Sequence, residues 1–366
     1  MKAYWCGQTK MKTDIAHTSA LQIVSLDPSK DSESWDQYVR SHPEGTVFHL
    51  MAWKRMIESS FGHEPRYLLA EEPKTKEIAG VLPLFFVCSK IFGRMLISTP
   101  QAAYGGILAS STEARDALLD QARQLARDAQ VEFLELRNFQ NPIDDPSLPR
   151  KDLYVTFRQE LWHDPEKNNL AIPRKTRAEI REGIRRGLEF NVNQIGIDEF
   201  YGIYSRSVRD LGTPVFSKSL FTNGMREFGS DCKIFSVHWK GSLVSAVWTL
   251  FYQGEVVPYY GGSIKKYNGL AVNSFMYWML IRYGCEQGYR VFDFGRSKKG
   301  TGSFNFKKRW GMRMSDLAYQ YVLVRSQSMP DTSPLNPKFS LGIRVWQRLP
   351  LFVTNALGPQ IAKHLI

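Results

Sequence analysis

The sequence has few of the residues that build disulfide scaffolds and metal sites. Its 366 residues include four cysteines, and no two of them form a Cys-x-x-Cys pair. The seven histidines form no His-Glu-x-x-His motif. These absences argue against an extracellular protein held together by disulfides and against the usual zinc sites. We therefore expect neither a bound metal nor a tightly held cofactor.

Long apolar segments are missing as well. The apolar runs at 81–88 and 243–252 have the length of strands, and both are shorter than the roughly 18 residues that cross a bilayer. Residues 1–20 lack the apolar core of a secretory signal. We interpret them as a disordered extension, with Met11 as an alternative start to Met1. The sequence thus predicts a cytoplasmic protein, with the inner face of the membrane as a further site of action.

What the chain does contain is a core-forming composition and an excess of positive charge. Hydrophobic residues make up 43% of the chain, which is enough to fill a core. Lysine and arginine number 48 against 36 aspartate and glutamate, so the formal charge is +12. This charge favours anionic partners such as phosphate esters, nucleic acid or an acidic membrane surface, and it does not choose among them.

One pattern occurs twice along the chain. Each copy has a Thr-containing segment before a helix that ends in Phe-Gly, then a strand hairpin, a Tyr-Gly-Gly tripeptide, a helix and a strand with a carboxylate. The features of the first copy are at 46–48, 61–62, 67–87, 104–106, 114–129 and 131–137, and those of the second are at 213–216, 228–229, 233–252, 260–262, 272–287 and 290–294. Because six features keep their order, we infer an internal duplication.

The repeated unit predicts the fold. Its order is a strand, two helices, three strands, a helix and a strand, which is similar to the GNAT N-acyltransferase fold. We expect an α/β protein (α+β, with mixed sheets) built from a tandem duplication of a GNAT-like domain. The predicted divisions are an extension over 1–20, an N-terminal domain over 21–165, a C-terminal domain over 166–330 as the catalytic candidate, and a basic amphipathic tail over 331–366. The order of elements alone does not exclude a scaffold that binds a ligand without catalysing a reaction.

Candidate donor-binding residues begin the helix after the second Tyr-Gly-Gly tripeptide. They are Lys266, Gly269, Ala271 and Asn273. A glycine-containing turn at a helix start exposes backbone N–H groups, and the helix dipole adds positive charge, so the two together suit a phosphate. The segment resembles the acyl-CoA loop of N-acyltransferases with lysine in its first place, although Asn-Gly is also a common turn.

Candidate catalytic residues follow in 292–311. Asp293, at a strand end, has the chemistry to deprotonate an attacking ammonium; its alternative role is to pair with Arg296 or to cap a loop. Lys307 is the candidate cation for the oxyanion of a tetrahedral intermediate, a contribution of about 3–4 kcal/mol. Since no Gly-x-Ser-x-Gly motif occurs and no Cys/His pair stands out, we favour direct attack by the acceptor over a covalent enzyme intermediate.

Several of these segments together resemble the FemAB-like family. They are Ala271-Val272-Asn273, Phe292-Asp293-Phe294-Gly295-Arg296, Phe306-Lys307-x-x-Trp310-Gly311, Arg177-x-x-x-Arg181 and the paired Tyr-Gly-Gly tripeptides. The closest likeness is to the members associated with PEP-CTERM/exosortase systems. The resemblance implies transfer of an acyl or aminoacyl group to an amine of a phosphate-bearing cell-envelope or exopolysaccharide precursor, a glycan or peptidoglycan intermediate.

The resemblance also implies roles for residues and substrates. Lys307 becomes the oxyanion-stabilising cation, while Arg177 and Arg181 contact the acceptor phosphate or, alternatively, form a solvated basic face. Further candidates are Tyr260 as catalytic, and Tyr104, Gly105, Gly261, Arg296 and Phe306 as substrate-binding. The donor is acyl-CoA, acyl carrier protein or aminoacyl-tRNA. The long helical arm of some bridge-forming members has no counterpart here, which puts a tRNA donor in doubt.

The end of the chain suggests a membrane contact. Residues 338–366 contain Lys338, Arg344, Arg348 and Lys363 among apolar side chains and have no acidic residue. Such a segment can lie on an anionic membrane, but more often a tail docks on its own domain, and Pro350 interrupts any single helix. A non-enzymatic basic module that binds an anionic glycan, lipid head group or RNA is the alternative to an enzyme.

Overall fold

The computed structural model describes residues 21–139, 142–330 and 337–365. In this part of the chain the strands are β1 Gln22–Ser25, β2 Glu64–Pro65, β3 Leu68–Glu71, β4 Ile78–Leu82, β5 Leu84–Ser89, β6 Gly93–Ser98, β7 Leu108–Ala109, β8 Phe133–Asn138, β9 Arg150–Lys151, β10 Tyr154–Glu160, β11 Leu188–Val192, β12 Cys232–Trp239, β13 Ser242–Tyr252, β14 Glu255–Ser263, β15 Val291–Asp293, β16 Ser297–Lys298, β17 Arg313–Asp316 and β18 Ala318–Leu323. The α-helices are α1 Ser32–Ser41, α2 Met51–Phe61, α3 Thr112–Asp128, α4 Pro165–Ala171, α5 Arg174–Arg185, α6 Ile197–Asp210, α7 Lys218–Phe228, α8 Val272–Glu286, α9 Gly302–Lys308, α10 Pro337–Arg348 and α11 Leu351–Ala362. The extension predicted over 1–20 lies outside the described residues.

The second half of the chain contains an eight-stranded sheet. Its order is β11-β12-β13-β14-β15-β10-β16, with β17 also paired to β10. The predicted tight hairpin between β12 and β13 is confirmed: Lys240 and Gly241 have φ angles of 50° and 73°, and two successive positive φ values give a turn whose twist matches that of the strands. The chain is thus a mixed α/β protein, as predicted.

Strands β14 and β15 diverge soon after they meet. They are parallel neighbours, but their pairing covers only Glu255 and Val256 against Val291 and Phe292. Beyond this point β14 continues along β13 as far as Ser263. The described pairing of β14 with β15 thus ends after two residues on each strand.

The first half has the same plan with a divided sheet. One sheet has the order β1-β3-β4-β7 and the other β2-β5-β6-β8-β18-β9. The break comes at Pro83, between β4 and β5, where proline has no N–H to donate to a ladder. Strands β6 and β8 are parallel neighbours, as β14 and β15 are in the second half.

The two halves exchange strands. Strand β10, which follows the first half in sequence, lies beside β15 in the sheet of the second half. Strand β18, near the end of the second half, pairs with β8 in the first. A division between residues 165 and 166 therefore separates strands that are hydrogen-bonded within one sheet.

One hydrophobic core is shared by the two halves. Helices α2 and α7 pack against each other, and Arg55 binds Glu227 across them at 2.6 Å. Trp53 from the first half and Trp248 from the second are both fully buried in this core. A second core lies on the other face of the second-half sheet, beneath α5 and α8. The internal packing of the halves thus resembles that of one continuous domain.

The C-terminal segment docks on the rest of the chain. Trp346 on α10 donates a hydrogen bond to the carbonyl of Thr213 at 3.2 Å. A Cβ at Gly358 on α11 would lie 2.8 Å from a Val215 methyl group, so the two segments approach closely. Ser89 donates to the carbonyl of His364 at 2.8 Å. Among the described helices, none combines the length and the apolar character needed to cross a bilayer.

Candidate active site

Lys307 is held by a turn that leaves β15. Helix α9 begins at Thr301, whose hydroxyl accepts the Phe304 N–H at 3.3 Å, and the helix places Lys307 in its last turn. The Lys307 ammonium donates to the carbonyls of residues 294, 295 and 296, at 2.5, 3.2 and 3.3 Å. Because an ammonium has three protons, this turn can occupy all of them.

The surroundings of Lys307 alter its acidity. Burial lowers the pKa of Lys307 to about 8, while Asp293 opposes the lowering and Arg296 adds to it. Loss of hydration disfavours the charged form of a lysine. The side chain is therefore a cation at neutral pH whose charge can be lost under mildly alkaline conditions.

Asp293 is fully enclosed by hydrogen-bond donors. Its side chain is 0% exposed. The carboxylate accepts from the Tyr104 hydroxyl, from Thr156 Oγ1 at 3.0 Å, from Arg158 Nη1 at 3.0 Å and from the Gly295 N–H at 2.7 Å. The bond to the Gly295 N–H agrees with the alternative of a loop cap, whereas the arginine that pairs with Asp293 is Arg158 rather than Arg296. A carboxylate in this environment positions its neighbours and has no exposed oxygen for an incoming amine.

Arg158 extends this cluster to a second carboxylate. It also binds Glu255 at the start of β14, and so links β10, β15 and β14. Burial disfavours the charge of Arg158, but Asp293 and Glu255 outweigh that effect and raise its pKa. Our sequence analysis missed Arg158. The signal was present in β10, because Thr156 and Arg158 alternate with apolar residues and must share one face of the strand.

The tyrosines of the two tripeptides have different surroundings. Tyr104 crosses from the first half to Asp293. The ring of Tyr260 instead packs in the shared core, and its buried hydroxyl has no hydrogen-bond partner among the described residues. The neighbouring Tyr259 is the tyrosine that borders the turn, since its ring carbon lies 3.8 Å from where a Cβ of Gly295 would be. We had not singled out Tyr259.

The glycines of the tripeptides are required by close packing. A Cβ at Gly105 would lie 2.1 Å from Thr99 Oγ1, and one at Gly261 would lie 2.8 Å from a Val247 methyl group. Real Cβ atoms do not approach other atoms so closely at normal packing density. These contacts explain both glycines without a bound substrate.

A groove of about 590 Å³ lies between α5, α9 and the start of α8. It is lined by three of the four predicted donor residues, Gly269, Ala271 and Asn273, and by Phe306. Ala271 precedes α8 with φ of 58°, a left-handed conformation that costs about 1–2 kcal/mol for a residue with a Cβ. This conformation favours glycine, so the alanine found there carries some backbone strain. Lys266 lies on the same turn, 4.6 Å from the ring centre of Tyr267.

A carboxylate of the protein already lies at the first turn of α8. Glu179 on α5 accepts from the hydroxyl of Ser274 at 2.7 Å and from Arg309 at 3.1 Å. Ser274 is the third residue of α8, where the helix dipole favours negative charge. An anionic donor group that uses this helix end has to compete with Glu179, which our sequence analysis missed.

The three arginines predicted to bind substrate lie at different sites in the structure. Arg296 stacks over Tyr154, 4.9 Å from the ring centre, and its backbone belongs to the turn that holds Lys307. Arg181 lines another groove, of about 480 Å³, together with Arg282. The buried Nε of Arg177 has no hydrogen-bond partner among the described residues. Arg181 and the predicted donor residues therefore line different grooves.

No metal centre is evident in the part of the chain that the structure describes. Among those residues, no group of three or more His, Cys, Asp or Glu side chains is placed to hold a metal ion.

Comparisons with known proteins agree with this architecture. Residues 174–308 match the family model described as an acetyltransferase (GNAT) domain. The solved structure of FemX has a TM-score of 0.64 with 15% identity, over 87% of this chain and 99% of that one. A tandem GNAT protein from the clavulanic acid biosynthesis pathway has a TM-score of 0.54 with 14% identity, over 85% and 100% of the two chains.

A third solved structure extends the likeness. The C-terminal domain of a candidate lysylphosphatidylglycerol synthetase from Agrobacterium fabrum has a TM-score of 0.55 with 12% identity, over 81% of this chain and 93% of that one. A search of curated proteins finds no significant match. At these identities the structural likeness concerns the fold, and the predicted duplication of a GNAT-like unit is confirmed. Residues 174–308 thus match a GNAT acetyltransferase domain, in a chain whose fold is similar to that of a tandem GNAT protein.

Proposed function

We propose that the protein is an acyltransferase whose second unit binds the acyl donor and transfers the acyl or aminoacyl group to an amine. One observation carries the proposal. The diverging strands β14 and β15, the groove at the start of α8 and the turn that binds Lys307 lie together in the matched GNAT domain. An opening beside a helix N-terminus accommodates an elongated donor with a phosphate group.

The chemistry is an acyl transfer by direct attack. The amine nitrogen attacks the carbonyl carbon of the donor, a C–N bond forms, and the C–S bond of a thioester or the C–O bond of an ester breaks. The nitrogen loses one proton and the departing thiolate or alkoxide gains one, so that the products are an amide and a free thiol or hydroxyl. The cationic Lys307 would stabilise the oxyanion by exchanging one of its two longer hydrogen bonds for the developing negative charge.

Asp293 acts here as a positioning residue. It holds the Gly295 N–H and Arg158, and so fixes the turn whose carbonyls bind Lys307. This role replaces the predicted role of a base, because the carboxylate is enclosed by four donors. The amine then loses its proton to another group or to water.

The donor and the acceptor follow from the family and from the charge. GNAT domains use acyl-CoA as a co-substrate, and acyl carrier protein and aminoacyl-tRNA are the other donors that the FemAB-like resemblance implies. For the acceptor we propose an amine on a phosphate-bearing envelope or exopolysaccharide precursor, as in PEP-CTERM/exosortase systems. The charge of +12 and the second groove with Arg181 and Arg282 support an anionic acceptor.

A donor panel tests this function. Purified protein is incubated with radiolabelled acetyl-CoA, longer acyl-CoAs or charged tRNA together with cell-envelope extract, and the label is located. We expect transfer to an amine-containing product, and we expect Lys307→Ala to lower the rate about 10²–10³-fold, the effect of losing one oxyanion donor.

The neighbouring Lys308→Ala is the matched control, since Lys308 is exposed on the same helix. Full activity in a folded Lys307→Ala protein would remove Lys307 from the mechanism. Binding of anionic glycan, lipid or RNA with steep salt dependence, and no labelled product from any donor, would favour the non-enzymatic alternative.

A further inference from the structure

Exposed apolar side chains are concentrated on the docked C-terminal helices. Leu341 and Val345 on α10 are 69% and 53% exposed, and Phe352 and Leu357 on α11 are 76% and 50% exposed. These four are among the ten large apolar side chains that are exposed in the described part of the chain. The segment is short, so this concentration distinguishes it from the rest of the surface.

Basic side chains share the same face of α10. Residues 341, 344, 345 and 348 have the i, i+3, i+4, i+7 spacing of one helical face, and Arg344 and Arg348 are exposed there beside Leu341 and Val345. The opposite side of the helix carries the buried Trp346, which binds Thr213. The helix is therefore anchored by one face and presents an apolar, basic face to the outside. We call the exposed side chains of α10 and Phe352 the tail surface.

The charge and the side-chain types of the tail surface favour one kind of binding partner. No acidic residue occurs in 338–366, so a second copy of this chain that docked through the same surface would bring like charges together. Apart from Phe352, the exposed apolar side chains of the tail surface are aliphatic and have no planar ring on which successive nucleic acid bases could stack. An anionic bilayer, by contrast, attracts arginine at its phosphates and accepts aliphatic and aromatic side chains just below them.

We propose that the tail surface binds a bilayer containing anionic phospholipids. Leu341, Val345 and Phe352 enter the region beneath the head groups, and Arg344 and Arg348 lie at the phosphates. Helices α10 and α11 pack on α6, while the donor groove lies beside α5 and α8 on the other face of the second-half sheet. Membrane binding thus leaves the groove accessible, and it does not depend on the proposed acyl transfer.

Vesicle flotation tests this inference with the full chain. We expect the protein to float with vesicles of 70% phosphatidylcholine and 30% phosphatidylglycerol and to remain below vesicles of phosphatidylcholine alone. The double variant Arg344→Gln/Arg348→Gln should bind the anionic vesicles about 30-fold more weakly, since each basic side chain near such a surface contributes about 1 kcal/mol and 1.4 kcal/mol is tenfold.

A second variant separates the apolar contribution from the charge. Phe352→Ser should weaken vesicle binding several-fold, whereas Leu170→Ser, which alters an equally exposed apolar residue on α4, should leave it unchanged. Circular dichroism and size-exclusion chromatography verify folding and oligomeric state. The proposal is overturned if the wild-type chain does not float with anionic vesicles, if Leu170→Ser is as harmful as Phe352→Ser, or if these tail variants instead abolish a dimer or RNA binding in a chain that ignores vesicles.

Discussion

At the scale of single residues, Lys307 makes the proposed chemistry dependent on pH. Its pKa is lowered to about 8, so it is mostly protonated at pH 7 and mostly neutral at pH 9. If the cation stabilises the oxyanion, kcat should fall as the pH rises through about 8. This decline is measured from the rate of acyl transfer between pH 6.5 and 9.5, with the acyl donor that the labelling experiment identifies.

Lys307→Arg is the control for the pH profile, because arginine keeps its charge throughout this range. Whatever activity it retains should lack the decline near pH 8. A wild-type rate that instead rises through pH 8 and then levels, with that rise absent in Lys307→Arg, would contradict the cationic role and assign Lys307 as the base.

Glu179 offers a second prediction at this scale. It lies at the α8 end that would bind the donor phosphates, so Glu179→Gln should remove a competing negative charge and strengthen acetyl-CoA binding about fivefold, equivalent to about 1 kcal/mol. Titration calorimetry measures the dissociation constant.

Glu182→Gln is the matched control, since Glu182 lines the same groove but pairs with Arg185 and Arg186. It should change the constant little. An unaltered affinity in Glu179→Gln would mean that the phosphates of the donor bind elsewhere.

Tyr104 joins the two halves through one hydroxyl, which gives a stability prediction. Tyr104→Phe leaves the buried Asp293 without one donor, and a hydrogen bond to a charged group contributes about 1.5–3 kcal/mol. We expect the free energy of unfolding to fall by about that amount in denaturant titrations. Tyr201→Phe removes a hydroxyl that donates to the Phe216 carbonyl, a neutral acceptor, and should cost about 1 kcal/mol. Equal losses in the two variants would argue against a special role for the Tyr104–Asp293 bond.

At the scale of elements, the sequence predicted those features that depend on interactions between residues close together in the chain. The hairpin over 233–252, the start of α8 and the order of elements in the second half depend on backbone preferences and periodicity within short windows, and they were predicted. The donor residues Gly269, Ala271 and Asn273 line one groove for the same reason, because they lie within one turn and the helix that follows it. In the first half six strands, β2 to β7, replace the three that were predicted between α2 and α3.

The partners of Asp293 depend instead on pairings between distant segments. Tyr104 and Arg158 are separated from it by 189 and 135 positions. Strand β15 has three residues, too few to show a pattern, and consecutive strands are usually neighbours. The insertion of β10 beside β15 breaks that tendency. Sequence reasoning could therefore nominate Asp293 and place Arg158 on the polar face of its strand, but it could not bring Arg158 and Tyr104 to Asp293.

At the scale of the whole molecule, the exchanged strands predict that the halves depend on each other. A fragment of residues 166–366 lacks β10, which leaves an edge of β15 exposed, and it also lacks the α2 face that covers α7. Exposed edges and apolar surfaces promote aggregation. We expect this fragment to be insoluble or to lack a cooperative unfolding transition, and to recover a folded state when it is co-expressed with residues 1–165.

A fragment of residues 152–366 provides the comparison, because it adds little more than β10. Amide hydrogen exchange should show stronger protection of β15 in this fragment than in 166–366, whether or not either binds a donor. If 166–366 alone unfolds cooperatively with the protection pattern of the intact chain, the exchanged strands are dispensable. The second half would then be an independent domain, and the Tyr104 link across the halves could not be what keeps Asp293 and the Lys307 turn in place.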